Sequence, residues 1–318
     1  MFSAIRVFVG GQLCEDFQEL PPLASMMSRF KPAWRQIQDS MENHPISPVD
    51  GSRLALAAGE SRRLIISLPC GLLRQQKWLP LHLLSNMVLE MTLGPADLAF
   101  NEATPNFELH SVSVLCTCLH VDSSVTAQYH AHIDSGNKLT IPYQSVVGSR
   151  HIVNSSDFTI SLSRSLSRLK QLFFVLVKDG EKIATQHKQP VNQTQLDLRT
   201  DTMQFQIQIG SEKYPDNACI GVAESFHRLK QAVGHQKDHD DFGIIPSKFM
   251  GSEAVFGIDF ERAGNEALFT GISTRDSKVM TLHVRGSQVS ATNVHTCFVY
   301  QVYDGILNIR RMAVDVED

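Results

Sequence analysis

Residues 203–210, MQFQIQIG, alternate without a slip: Met203, Phe205, Ile207 and Ile209 point one way, and Gln204, Gln206 and Gln208 the other. A period of two predicts a strand with one buried face and one face that is polar but uncharged. Glutamine is a mediocre strand former, so three in register raise the question of what that face meets. It is either a solvated face or a surface pressed against another protein.

The same period recurs along the chain. IRVFVGGQL opens it, with Gly10-Gly11 as a turn or bulge signal. Strand-like stretches follow at 62–68 (RRLIISL), 86–93 (NMVLEMTL), 107–121 (FELHSVSVLCTCLHV), 157–163 (DFTISLS) and 172–180 (LFFVLVKDG). The last third adds 254–260 (AVFGIDF), 278–286 (KVMTLHVRG) and 294–314 (VHTCFVYQVYDGILNIRRMAV) to 203–210. Clusters of Gly, Pro, Asn and Asp separate them, as in TLGPAD, HIDSGNK and KYPDNA. Many strands, irregular loops and few helices predict an all-β chain of antiparallel sandwiches.

Two stretches have helical spacing instead. VAESFHRLKQAVG (222–234) sets Val222, Phe226, Leu229 and Val233 on one stripe, places Glu224 four residues before Arg228, and closes on Gly234. Between Ser25 and Met41, the positions Met26, Phe30, Trp34, Ile37 and Met41 share a face, with Pro32 restarting the helix. SRSLSRLKQLFF (163–174 within a longer strand context) reads as a loop or short helix between two strands. No repeat of the 20 to 50 residue kind is visible, which excludes solenoids and propellers. The polar stretch 178–202 (KDGEKIATQHKQPVNQTQLDLRTDT) is the expected boundary, dividing the chain into residues 1–190 and 191–318.

Composition narrows the function classes. Of 318 residues, 42% are hydrophobic and 19% charged, with a formal net charge of -4, so there is material for sizeable cores and no basic footprint for nucleic acid. The six cysteines (Cys14, Cys70, Cys116, Cys118, Cys219, Cys297) contain no CxxC pair, which removes zinc ribbons and thioredoxin-like sites. They read as free, small hydrophobes in a reducing compartment. The opening MFSAIRVFVGGQLCEDF lacks the long apolar core of a signal peptide, and no run is long enough to span a bilayer, so the expectation is an intracellular, non-secreted chain. Without a secretory signal, the NSS and NQT acceptor patterns at Asn154 and Asn192 carry no weight.

Candidate chemistry is thin. GHQKDHDDFG gathers His235, Asp238, His239, Asp240 and Asp241, but Gly234 ends the helix before them and no HExxH is present, so a solvated loop is the better reading. His130 and His132 in QYHAHID share a face if extended, without a carboxylate partner at a recognisable metal-site spacing. No GxSxG elbow, phosphate loop or Cys/His nucleophile pair appears, so catalytic residues, cofactor and metal are all expected to be none. Catalytic residues dispersed over a sandwich would leave no such signature. Trp34 and Trp78 sit among apolar neighbours, which argues against sugar stacking.

The order of segments resembles a known family. IRVFVGGQLCEDFQELPPLASMMSRF is similar to the strand, glycine turn and helical excursion of double jelly-roll major capsid proteins of Polinton-like elements and adintoviruses, within the lineage of large DNA viruses and virophages. RRLIISLPCGLLRQQKWLPLHLLSNMVLEMTL resembles their next section. FQIQIGSEKYPDNACIGVAESFHRLKQAVG resembles the opening of their second jelly roll: a strand ending in Ile-Gly, a Tyr-Pro turn, and a helix closing on glycine. VFGIDFERA, TGISTRDSKVMTLHV and FVYQVYDGILNI follow as its later strands. The resemblance implies two jelly rolls in tandem, the first incomplete at its N-terminus in a truncated or genome-integrated copy, with a few short helices. It implies a non-enzymatic structural protein of an icosahedral shell, made in the host cytoplasm or nucleus and located in the virion. Its partners would be further copies in a homotrimer, neighbouring capsomers, and minor capsid or penton proteins. The alternative is a non-viral β-sandwich that binds a carbohydrate or protein ligand without catalysis.

Overall fold

A computed structural model describes residues 2–32, 34–35, 59–75, 77–84, 86–94, 107–178, 198–234, 242–251, 254–261, 271–275, 279–311 and 313–318. The opening alternation folds into a hairpin. β1 (Phe2–Val9) and β2 (Gln12–Phe17) pair antiparallel around Gly10 and Gly11, whose φ angles are 59° and 81°. A two-residue hairpin turn needs two successive positive φ angles, and glycine takes them without a Cβ clash. α1 (Leu20–Phe30) follows, with prolines in its first turn, where their missing N–H costs nothing. Leu20, Leu23, Met26 and Phe30 form its buried face. The helix therefore begins earlier than the Met26–Phe30–Trp34 stripe suggested, and it ends before Pro32. Ile37 and Met41 lie outside the described residues. α2 (Gly71–Arg74) and β3 (Met87–Leu93) come next, and β3 pairs with the free side of β1 to give a sheet ordered β2-β1-β3.

The rest of the chain supplies α3 (Ser123–Asp134), β4 (Leu139–Val153), β5 (Phe158–Leu162), β6 (Leu169–Lys178), β7 (Gln204–Ile209), β8 (Glu212–Ile220), α4 (Gly221–Val233), α5 (Pro246–Phe249), β9 (Phe256–Asp259), β10 (Met280–Arg285), β11 (His295–Arg310) and β12 (Ala313–Glu317). One sheet is ordered β5-β10-β7-β8. In the other, β4 runs along one flank of β11, while β6 and then β12 share its second flank, and β9 closes the edge beyond β6. Every pairing is antiparallel, and β4 to β11 wrap as a complete eight-stranded jelly roll. The sheet β2-β1-β3 repeats part of it. Both β1-β2-α1-β3 and β7-β8-α4-β10 are a glycine-turned hairpin, a helix, then a strand on the hairpin's first member. The chain is thus an all-β, double jelly-roll architecture with short helices.

Several expectations need correction. The boundary expected near residue 190 is crossed by the sheets: β4, β5 and β6 pair with β10 and β11, so residues 139–178 belong with the C-terminal unit. Residues 62–68 and 107–121 form no strand, despite their alternation. QYHAHID lies in α3, capped by Asp122, whose carboxylate accepts the Ser124 N–H at 2.8 Å. Unforeseen was β4, whose Pro142 and Gly148 argue against a strand. Pro142 is tolerated because β4 pairs with β11 on one side and, among the described residues, with no strand on the other.

The cores follow from the buried faces. Phe174 and Phe256 stack at 4.8 Å, and Phe205 meets them edge-on at 5.2 and 5.5 Å between the two sheets. A relay of rings, Phe256–Phe249–Phe226–Phe242–Phe30–Phe173, with centroids 5.0 to 6.3 Å apart, carries this core round the β9 edge to α1. Edge-to-face contacts of this kind add to the area that they bury.

Candidate assembly surfaces

The N-terminal sheet and α1 lie against the β4–β11 layer, and the joint is built from specific contacts. Tyr143 on β4 donates its hydroxyl to the Cys14 carbonyl at 2.8 Å, and Tyr300 on β11 donates to the Glu19 carbonyl at 2.9 Å. Glu15 on β2 is buried, and its two oxygens accept the Gly71 and Leu72 N–H groups at 2.9 and 3.2 Å, capping α2. Burial pushes its carboxyl up to about 7, against the downward pull of those N–H groups and of the Ser145 hydroxyl. α2 sits so close to β4 that a Cβ on Gly71 would fall 1.6 Å from the Gln144 carbonyl oxygen. Only glycine fits there.

Two of the three glutamines, Gln206 and Gln208, bond within the molecule. β8 bulges opposite Gln206, where the register jumps from Phe205↔Cys219 to Ile207↔Tyr214. Gln206 Nε2 donates to the Pro215 and Asp216 carbonyls at 2.8 and 3.0 Å, supplying partners that the ladder does not. Gln208 Nε2 donates to the Gly210 carbonyl at 2.9 Å. On the same sheet face, His283 meets the hydroxyls of Thr159 and Thr281 at 3.1 and 3.0 Å, so the middle of the face is polar, while exposed Arg285, paired with Gln204, brings a charge to its end.

The exposed apolar surface lies elsewhere. Residues 112–121 run outside any sheet, and Val112, Val114, Leu115, Leu119 and Val121 are 45 to 83% exposed. An exposed apolar stretch on backbone that makes no ladder among the described residues is a candidate for contact with another surface. Cys116 and Cys118 are free and exposed within it, whereas Cys14, Cys70, Cys219 and Cys297 are buried thiols.

The residues singled out for chemistry do not converge. On α3, His130 and His132 are two apart and diverge, and the His130 ring instead meets His82 at 5.6 Å. Among the described residues no group of three or more His, Cys, Asp or Glu is placed to hold a metal. His235, Asp238, His239, Asp240 and Asp241 lie outside the described residues. Trp34 and Trp78, read as apolar-packed, are 52 and 59% exposed. Glu15 escaped the sequence reading because CEDF carries no signal of burial.

No model of a known protein family matches the sequence, and no curated protein matches it. Solved structures do match by fold. VP54 of PBCV-1, from a crystal structure fitted into a reconstruction of the virophage Sputnik, aligns over 99% of this chain and 83% of its own, at 11% identity and a TM-score of 0.62. The PBCV-1 capsid gives the same coverage and TM-score at 10% identity. The Sputnik virophage structure aligns over 99% of this chain and 74% of its own, at 10% identity and a TM-score of 0.50. The fold is that of the double jelly-roll capsid proteins of large DNA viruses and virophages. No helix among the described residues is long and apolar enough to cross a membrane.

Proposed function

We propose that the chain is a major capsid protein-like building block of an icosahedral shell in the Polinton-like and adintovirus group. It assembles as a homotrimer, two jelly rolls per chain giving a six-sided brick, and is catalytically silent. The division between the rolls falls between β3 and β4, residues before Leu139 belonging to the first. Neighbouring capsomers, and minor capsid or penton proteins, are its further partners, and the virion is its location. The reading is supported by one observation above all: the hairpin, helix and third strand occur twice in the chain, and the likeness to the PBCV-1 protein runs through both copies, over 99% of the chain. The exposed strip at 112–121 is where a second copy docks, since apolar area of this kind is what obligate interfaces cover.

Light scattering on the purified protein at micromolar concentration tests this. The expected result is association, with trimers as the smallest closed species, and its loss in Leu115→Glu. A stable monomer would overturn the reading. It would leave the second one, a non-viral sandwich binding a carbohydrate or protein ligand, which the exposed Trp34 and Trp78 favour.

A further inference from the structure

Three charged side chains meet under the surface where β6, β9 and β11 come together. Lys170 Nζ lies 2.6 Å from Glu261 Oε1 and 3.8 Å from Asp304 Oδ1. The side chains are 9, 3 and 2% exposed. The β6–β11 register slips between Val302 and Tyr303, so Lys170 has no partner in the ladder and leans across it toward Asp304. Backbone bonds fix all three. Asp304 N–H donates to the Arg168 carbonyl at 3.1 Å, Phe260 N–H to the Lys170 carbonyl at 2.8 Å, and Glu261 N–H to Asp259 Oδ1 at 2.9 Å. Among the described residues, buried Glu261 Oε2 has no hydrogen-bond partner. Two carboxylates held around one ammonium at a buried site leave one negative charge without a counter-ion, which is costly. Asp259 beside them shows the same pressure, since burial raises its carboxyl to about 6 although Lys170 pulls it down.

We propose that Lys170 and Asp304 close an intramolecular amide bond, with Glu261 carrying the proton. Glu261, 2.6 Å from Lys170 Nζ, takes one ammonium proton and passes it to the Asp304 carboxylate, which leaves an amine and a carboxylic acid. The amine lone pair attacks Asp304 Cγ, and Glu261 takes the second Nζ proton. Glu261 then returns that proton to the departing hydroxyl, and water leaves. One N–C bond forms, one C–O bond breaks, and no oxidant or activating group is consumed. Preorganised contact between nucleophile, electrophile and proton carrier is what such a step requires. The product ties β6 to β11 covalently across the middle of the jelly roll, whatever the assembly state.

Intact-mass spectrometry of the denatured full chain tests this, followed by protease digestion. The expected mass is one water, about 18 Da, below that of the sequence, with a branched peptide joining Lys170 to Asp304. An intact mass equal to that of the sequence, with Lys170 in a linear peptide, would overturn the proposal without needing any variant to fold. Glu261→Gln is expected to keep the full mass. A water-deficient, Lys170–Asp304-linked Glu261→Gln chain would overturn the role given to Glu261.

Discussion

Glu15 is a carboxylate placed where its charge is disfavoured, at the joint between the two halves. Its ordinary carboxyl value of 4.5 is raised to about 7 by burial, so the folded state holds the proton more tightly than the unfolded chain. The sign follows: this group stabilises the fold below about pH 4.5, and that contribution is lost as pH rises through 7. The shift corresponds to about 3 kcal/mol between the two limits. Glu15→Gln is expected to flatten this part of the pH dependence. The difference between wild type and variant in urea midpoint should grow from pH 5 to pH 8, with the variant gaining at the alkaline end. A constant difference would mean that Glu15 does not titrate in this window. Lys170, Glu261 and Asp304 belong to the same scale. Asp304 is a lone charge within an apolar stretch (YQVYDGILNI), a signal in the sequence that could have marked it, whereas Lys170 and Glu261 stand beside other charges (RLKQ, DFER) and carry no such mark.

At the scale of elements, alternation found β7 and β10 because each has one core face and one open face, and a two-residue period survives only there. It failed in both directions elsewhere. Residues 107–121 alternate well, yet among the described residues no neighbour strand pairs with them, and alternation alone makes no hydrogen bonds. The long β4 was hidden by Pro142, which an edge strand tolerates, and β8 by a bulge that looks like a turn. The bulge gives a test. Gln206→Leu removes the donor that serves two carbonyls and should cost about 1 kcal/mol, while Gln208→Leu, which loses one exposed bond, should stay within about 0.5 kcal/mol. Urea unfolding of both variants measures the contrast. Equal costs would show that the glutamines serve the face rather than the bulge.

For the whole molecule, the joint predicts a single transition. Tyr143, Tyr300, Glu15 and the phenylalanine relay bind the β2-β1-β3 sheet to the complete jelly roll through groups buried on both sides. Both tryptophans, Trp34 and Trp78, lie in the first half. Tryptophan fluorescence and far-UV circular dichroism should therefore report the same melting midpoint. A tryptophan transition well ahead of the loss of sheet signal would mean that the halves unfold separately. β11 carries a further consequence. It is the central strand of its layer, yet it is made long after the strands that flank it. Leu139 finds its partner in Ile309, and Phe174 in Val299. At ordinary translation speeds β4 and β6 wait on the order of ten seconds with their apolar faces unpaired. Such high contact order makes for slow folding, so the nascent chain should depend on a chaperone that holds β6, whose run LFFVLV is its most aggregation-prone segment.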